Sequence, residues 1–494
     1  MKGRLVSFAL ISHRADLSKI QIIDTYKVND ASVYITNDGK YLIVEPLLTK
    51  ESHDIYQEMM EQLFYSLEPL SKTDDPINYI EKHMWKEAED RAITDSFSKY
   101  FHSLRYYLIR DILGYGILDV LMRDENIEEI TAERFDTKIG IIHRKFSEFN
   151  ILDTNISFGS ADSMGSYIQR LMQKTGNTVT AATPIMNAMT KEGDRITVTY
   201  GQEVSLPGPT LDIRKFTRDP FTITHLLEFG ALTGLMASYF WMLFDAKAFG
   251  LVVGETGSGK TTMINGLMGL SNPRWKIVTI EETPELQIPH YRWERLITRT
   301  SPMITQSNFD ITIMELIKAS LRLRPDFEIV GEVRGEEAQF LFQSAATGHG
   351  GLTSFHGSSA ESALNRLASD PINIKSSQQM LLWFIAHMTK LKTADKKIVR
   401  KIVSVKEVMP KTESVSLHEL FKYDQKTSSY NIDTIDQLIE KSTKVQDAAN
   451  ILNVEPKEDL QKRIDLLGEC QKSSAHSVEQ VFSVISKYYA NNLG

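Results

Sequence analysis

The sequence predicts an α/β chain: a C-terminal domain built on a parallel sheet with helices on both faces, an N-terminal α+β domain and a helical C-terminal tail. Three observations carry that expectation. Residues 249–262 read Phe-Gly-Leu-Val-Val-Gly-Glu-Thr-Gly-Ser-Gly-Lys-Thr-Thr, an apolar run ending in a G-x-x-x-x-G-K-T loop that opens into a helix-compatible stretch. Residues 276–280, 327–330 and 352–355 repeat the short apolar run at helix-sized intervals, as in a parallel sheet with ligands at its carboxyl ends. Residues 195–200 and 211–216 alternate instead, as two neighbouring half-buried strands.

In chain order, residues 1–14 carry an apolar run too short for a secretory leader and read as a strand. Residues 1–95 make an accessory α+β segment with a helix over 50–67, where Ile55, Met59, Leu63 and Phe64 recur at helical spacing. Residues 96–216 form an N-terminal domain, with helical patterning over 88–122 and 161–174 ahead of the alternating strands. In those strands Arg195 shares a face with Thr197 and Thr199, and Arg214 shares one with Asp212, so both arginines project away from the aliphatic side. Residues 217–225, with Pro220, read as a hinge linker, 226–430 as the parallel-sheet domain and 431–494 as a polar helical extension. The most apolar window, 235–253, holds Asp245 and Lys247 and runs into the glycine loop, which argues against a bilayer span.

Composition narrows the function. The 494 residues are 42% hydrophobic and 24% charged, ordinary for core-forming protein, and the single Cys470 excludes an internal disulfide and fits a reducing, cytoplasmic setting. A net charge of −8 argues against a broad nucleic-acid surface, so no nucleic-acid partner is expected.

The glycine loop is a phosphate cradle. Gly254, Glu255, Thr256, Gly257, Ser258, Gly259, Lys260, Thr261 and Thr262 are the expected contacts of ATP: glycines let successive N–H groups converge on the phosphates at a helix N-terminus. Lys260 adds a cation at the β/γ-phosphates, and the Thr261 hydroxyl suits Mg²⁺. Residues 278–283 form a strand finishing in Glu281 and Glu282, readable as a solvated acidic turn or as carboxylates aimed at the γ-phosphate. Residues 324–334 follow a Thr312-x-x-Glu315 capping box and form a strand ending in Glu332, which can orient water or hold Mg²⁺ through water. The aspartate usual before that glutamate is here Gly331. His349 and His356 flank a third extended segment and admit three readings: zinc ligands lacking a nearby third, satisfied structural residues, or sensors of the γ-phosphate.

These segments, in this order, resemble the secretion ATPase superfamily of type II and type IV secretion and type IV pilus systems. Residues 254–261 resemble its Walker A loop, 280–283 its Asp box, 321–334 its atypical Walker B and 347–356 its His box; the likeness spans about residues 105–410. Tyr41 to Leu47, Ile213-Arg214-Lys215-Phe216 and the tail ending in Tyr488-Tyr489 are most similar to the archaeal branch that powers archaella and archaeal pili. The resemblance implies a RecA-like P-loop NTPase domain, ATP hydrolysis and a homohexamer with arginines supplied by a neighbouring subunit. It also implies work on a polytopic membrane platform protein from the cytoplasmic face of the membrane, with other assembly components as possible partners. Arg195, Arg214 and Arg218 are the candidates for the trans arginines, against a reading as solvated surface cations. Glu282 stands where the family often has aspartate, which leaves its share of catalysis open. A RecA-like hexameric helicase or DNA translocase, a conjugative type IV secretion ATPase and a non-hydrolysing scaffold are the alternatives. Lys260, Glu282 and Glu332 together argue against the scaffold.

Overall fold

Strong alternation in the first half of the chain and continuous apolar runs in the second give two differently built sheets. In the computed structural model, which describes residues 20–67, 75–216, 220–299, 310–392, 398–412 and 414–491, the chain divides into a unit ending at Phe216 and a unit beginning at Thr217. The strand expected over residues 1–14, and Thr217, Arg218 and Asp219, lie outside the described residues.

The first unit carries β1 (Ile22–Val28), β2 (Ala31–Thr36), β3 (Lys40–Val44), α1 (Lys50–Ser66), α2 (Pro76–Asp90), α3 (Thr94–Ile112), α4 (Asp119–Arg123), β4 (Ile127–Ala132), β5 (Gly140–His143), β6 (Leu152–Thr154), α5 (Ala161–Lys174), β7 (Ile185–Met189), β8 (Arg195–Thr199) and β9 (Thr210–Arg214). Its strands join in the order β1-β2-β3-β6-β5-β4-β9-β8-β7, so one sheet draws on both sides of the boundary expected near residue 95. The helical patterning of residues 88–122 resolves into separate helices, because α2 ends at Asp90 and Ala92 takes a left-handed φ of 55°. Helix α1 starts at a capping box in which Thr49 and Ser52 satisfy each other's backbone amides. In β8 and β9, Ile196, Val198, Leu211 and Ile213 are fully buried by the alternation that leaves Arg195 and Arg214 exposed.

The second unit runs α6 (Ile223–Glu228), α7 (Gly234–Asp245), β10 (Phe249–Gly254), α8 (Lys260–Met268), β11 (Ile277–Glu281), β12 (Trp293–Ile297), α9 (Ile313–Leu323), β13 (Phe327–Val333), α10 (Glu337–Ala346), β14 (Gly350–His356), α11 (Ala360–Ala368), α12 (Ser376–Gln379), β15 (Leu382–Lys392), β16 (Ile398–Lys411), β17 (Ser414–Asp424), β18 (Ser429–Tyr430), α13 (Ile435–Lys441), α14 (Thr443–Leu452), α15 (Pro456–Lys472) and α16 (Val478–Asn491). Its sheet order is β12-β11-β13-β14-β10-β15-β16-β17-β18, parallel from β12 to β15 and antiparallel beyond. All residues of β10 and β11 are buried, as parallel strands covered on both faces require. Helix α7 is apolar nearly all round and correspondingly buried, and at residues 246–248 the chain turns from it into β10. The apolar window of residues 235–253 is therefore a core helix and a core strand. Helix α6 begins at Ile223, inside the stretch expected as hinge.

The polar extension is built into this core rather than hanging from it. Leu438, Val445, Leu460, Leu467 and Ile485 belong to the same buried cluster as α7 and α8. A buried charge network fastens them: Arg463 donates to Asp459 through Nε, to Asp245 through Nη1 and to Tyr488 through Nη2, each at 2.7 Å. Tyr489 donates to Asp245 at 2.7 Å while accepting from Trp241 Nε1 at 2.7 Å. Removing one member of such a network strands the others without water. Arg463→Met should therefore cost about 3–5 kcal/mol in chemical denaturation followed by tryptophan fluorescence, and a loss under about 1 kcal/mol would show that the network does not hold the tail.

Candidate functional site

The parallel strands deliver the candidate residues to one edge. Gly254, the last residue of β10, is level with His356 at the end of β14, and β13 pairs along the far side of β14. The glycine loop arches from that edge into α8. Gly257 and Gly259 take φ of 71° and 94°, values that L side chains avoid. A Cβ on Gly254 would stand 2.5 Å from both the Met388 carbonyl oxygen and Ser258 Oγ. Glu255, Thr256 and Gly257 form an exposed rim, Ser258 and Lys260 are buried, and Thr261 and Thr262 are half-buried. Lys260 Nζ donates to the carbonyl oxygens of Gly254 (3.0 Å) and Glu255 (3.1 Å), and burial lowers its pKa against the pull of Glu332. The buried Ser258 hydroxyl has no protein partner among the described residues. A loop of positive φ with a cation folded onto its own carbonyls and an unsatisfied hydroxyl fits a polyphosphate.

Four further side chains gather beside it. Arg334 Nη2 donates to Glu332 Oε2 at 2.6 Å, and its Nη1 stands 3.8 Å from Glu282. His356 Nε2 lies against Glu332 Oε1, off the line of a hydrogen bond. Burial, with Lys260 nearby, holds the imidazole below its ordinary pKa of 6.5 despite Glu332, so His356 is neutral at pH 7. Glu332, Glu282, His356 and Lys260 are thus brought together, and Thr261 opens the helix beside Lys260.

His349 is not with them. It precedes β14 while His356 ends it, a separation of about 23 Å along an extended strand. His349 Nδ1 is 2.8 Å from Thr347 Oγ1 and 3.3 Å from the Ser344 carbonyl oxygen, at the sheet's other end. Within one chain the two histidines share neither a metal nor a phosphate. Arg195 and Arg214 belong to the first unit, directly opposite each other across β8 and β9, with Glu129 of β4 on the other side of Arg214.

Four features escaped the sequence reading. Glu281 is buried, and its Oε1 accepts from the amides of Glu285 and Leu286 at 2.7 and 2.8 Å, so it shapes the loop after β11 while Glu282 faces the site. A Cβ on Gly331 would lie 3.3 Å from Glu281 Cγ, a tight contact that the Glu281 side chain would have to yield to. Arg334 lay within a recognised segment with no role assigned. Arg400 Nε–H donates to the Gly257 carbonyl oxygen at 2.9 Å from 143 residues away, a distance no local motif signals.

Residues 120–464 match the family described as Type II/IV secretion system protein. An uncharacterized protein of Methanocaldococcus jannaschii is 27% identical over 488 residues, covering 92% of this chain and 86% of that protein. The type IV secretion system protein PtlH of Bordetella pertussis is 42% identical over 119 residues, 24% of this chain and 34% of PtlH. The structure of the Legionella pneumophila ATPase DotB aligns with 73% of this chain and 92% of its own at 15% identity, with a TM-score of 0.41, too slight a likeness to argue from.

The two adjacent carboxylates should separate by stability. Glu281→Ala orphans buried amides and should cost about 1–3 kcal/mol, whereas Glu282→Ala, exposed, should stay within about 0.5 kcal/mol. Equal losses in denaturant titrations would refute the division of roles.

Proposed function

This chain belongs to the type II/IV secretion system protein family, and from that premise we propose that it is an ATP hydrolase that powers assembly of an archaeal type IV pilus-like filament or archaellum. The observation that carries the proposal is the convergence of Lys260, Glu332, His356, Arg334 and Glu282 around a loop shaped for polyphosphate.

Each residue then has work to do. Lys260 exchanges its two carbonyl partners for β- and γ-phosphate oxygens, and the loop amides with the Ser258 hydroxyl take further oxygens. Glu332 orients water for in-line attack on the γ-phosphorus, because it is the carboxylate held at the strand edge by Arg334, with His356 beside it. Neutral His356 can donate to a phosphate oxygen and report its loss through Glu332. Glu282, 3.8 Å from Arg334, biases which carboxylate that guanidinium holds. Mg²⁺, when bound, would neutralise phosphate charge, held by the Thr261 hydroxyl and through water by Glu332.

The acting form is a homohexamer, its sites completed by Arg195, Arg214 or Arg218 of a neighbouring subunit. Arg195 and Arg214 stand directly opposite each other on an exposed face of β8 and β9, with Glu129 across from Arg214, and a phosphate from a neighbouring subunit would ease the repulsion between the two guanidiniums. Among the described residues no helix is long and apolar enough to cross a membrane. The motor therefore works on the membrane through a protein partner, a polytopic platform at its cytoplasmic face. The long match with the M. jannaschii protein supports the archaeal branch, and the net charge of −8 weighs against a DNA translocase.

Wild-type protein should hydrolyse ATP with Mg²⁺ and without stimulation by DNA. Glu332→Gln should keep ATP bound while turnover falls roughly a hundredfold, and Lys260→Ala should lose both binding and turnover. Cells carrying either variant should lack filaments. Wild-type turnover in Lys260→Ala would sink the site, and DNA-stimulated turnover would favour the translocase. Arg195→Ala or Arg214→Ala should impair turnover more than binding, and mixing either with Lys260→Ala should restore activity. Failure to complement, with activity per subunit unchanged on dilution, would remove the ring.

A further inference from the structure

Beyond the chemistry assigned to Glu332 and its neighbours, the opposite flank of the loop carries two cations with no assigned task. β15 runs level with β10 as far as Met388, opposite Gly254, and then continues four residues past the end of β10, alongside the loop. β16 returns antiparallel, so that Lys390 and Arg400 stand directly opposite each other on this overhang. They share a face with Met388 and Ile402, two residues away on their own strands, and that face is turned to the loop. A Cβ on Gly259 would lie 3.3 Å from Arg400 Cδ and 3.5 Å from Met388 Cε, and one on Gly257 would lie 2.8 Å from Lys390 Nζ.

Arg400 uses Nε on the Gly257 carbonyl, which leaves its terminal nitrogens at the loop's rim. Among the described residues neither Arg400 nor Lys390 is paired with a carboxylate, unlike Lys406 and Lys422 on the same antiparallel strands. Two like charges directly opposite on an antiparallel pair destabilise it, and a bound anion reverses that sign. Bland solvation of the two side chains would explain their exposure. It would not explain why both converge on the one loop that binds polyphosphate.

We propose that Lys390 and Arg400 form a nucleotide-affinity clamp: Arg400 positions the phosphate loop through the Gly257 carbonyl, and Lys390 contacts the α- and β-phosphate oxygens of the bound nucleotide. This rests on the ATPase reading above. The sheet order explains the division of labour. Glu332 is on β13 and Arg400 on β16, with β14, β10 and β15 between them, four strand spacings or about 19 Å at the level of the backbone. The clamp therefore grips the part of the nucleotide common to ATP and ADP, and the other flank reads the γ-phosphate.

The test is the dissociation constant for ATP and for ADP, with kcat and KM, in full-length wild type, Lys390→Gln, Lys390→Arg and Arg400→Gln. Lys390→Gln and Arg400→Gln should each weaken ATP and ADP alike by about tenfold, the scale of one charge-assisted contact, while kcat at saturation stays within about twofold. Lys390→Arg should retain wild-type affinity. The Lys390 side chain makes no hydrogen bond to the protein among the described residues, so Lys390→Gln should also leave the melting midpoint of nucleotide-free protein unchanged, which keeps the test intact if Arg400→Gln misfolds. Unchanged affinities, or a lower kcat at constant KM, would overturn the clamp. A wild-type chain that binds no nucleotide would instead overturn the ATPase reading itself.

Discussion

The register of β14 between β10 and β13 is the constraint on which the site depends. Because Gly254 is level with His356, and Phe355 with Val333, the phosphate loop, the histidine and the carboxylate of the neighbouring strand emerge at one edge. Glycines inside the strands hold that register. A Cβ on Gly250 would stand 2.1 Å from Phe384 Cζ, and one on Gly350 would stand 2.5 Å from Phe327 Cδ2, so these rings lie in slots that only glycine leaves open. Side chains cross the strands as well: Thr353 Oγ1 donates to the Val330 carbonyl at 2.8 Å and Ser354 Oγ to that of Gly331 at 2.6 Å. A slip of one residue would turn His356 and Glu332 to opposite faces.

Much of this was legible in the sequence and some was not, for physical reasons that differ by residue. The phosphate loop is a local object whose glycines and lysine act within nine residues, so its pattern alone locates it. The capping box at Thr312 and Glu315 is equally local, and the structure forms it. The residues alone could not tell Glu281 from Glu282, and only the family resemblance singled out Glu282, since which carboxylate turns inward depends on the phase of β11 within its sheet. His349 looked equivalent to His356 because seven positions are few in sequence and a long way along a strand. β15 to β18 went unread because their alternation is interrupted by charges and a bulge between His387 and Met388. The Arg463 network joins residues 218 apart and has no sequence signature.

The two ends of the parallel sheet are tied down differently. At the amino ends, Lys247 donates to Asp326 at 2.8 Å just before β10 and β13 begin, and Asp326 accepts from the Lys276 amide at 3.0 Å. His349 stands at that end too. At the carboxyl ends the contacts are half-exposed carboxylates, an imidazole and guanidiniums, which cost little to rearrange.

For the proposed ATP-driven role, that asymmetry suits conversion of a change of charge at the phosphates into displacement. Asp245 ends α7, four residues before β10 begins, and it is held by Arg463 and Tyr489 from α15 and α16. The tail therefore anchors the strand that carries the phosphate loop from behind, through buried charges that resist separation. Phosphate contacts made or lost at the other end of β10 meet a strand that cannot recoil into the core. In the proposed role their effect would fall on the exposed loop rim and on the half-exposed side chains beside it. In the proposed role, a P-loop sheet with a loosely attached tail would lose part of that displacement in its own packing, whereas here the helices from Ile435 to Asn491 are built into the core behind the loop.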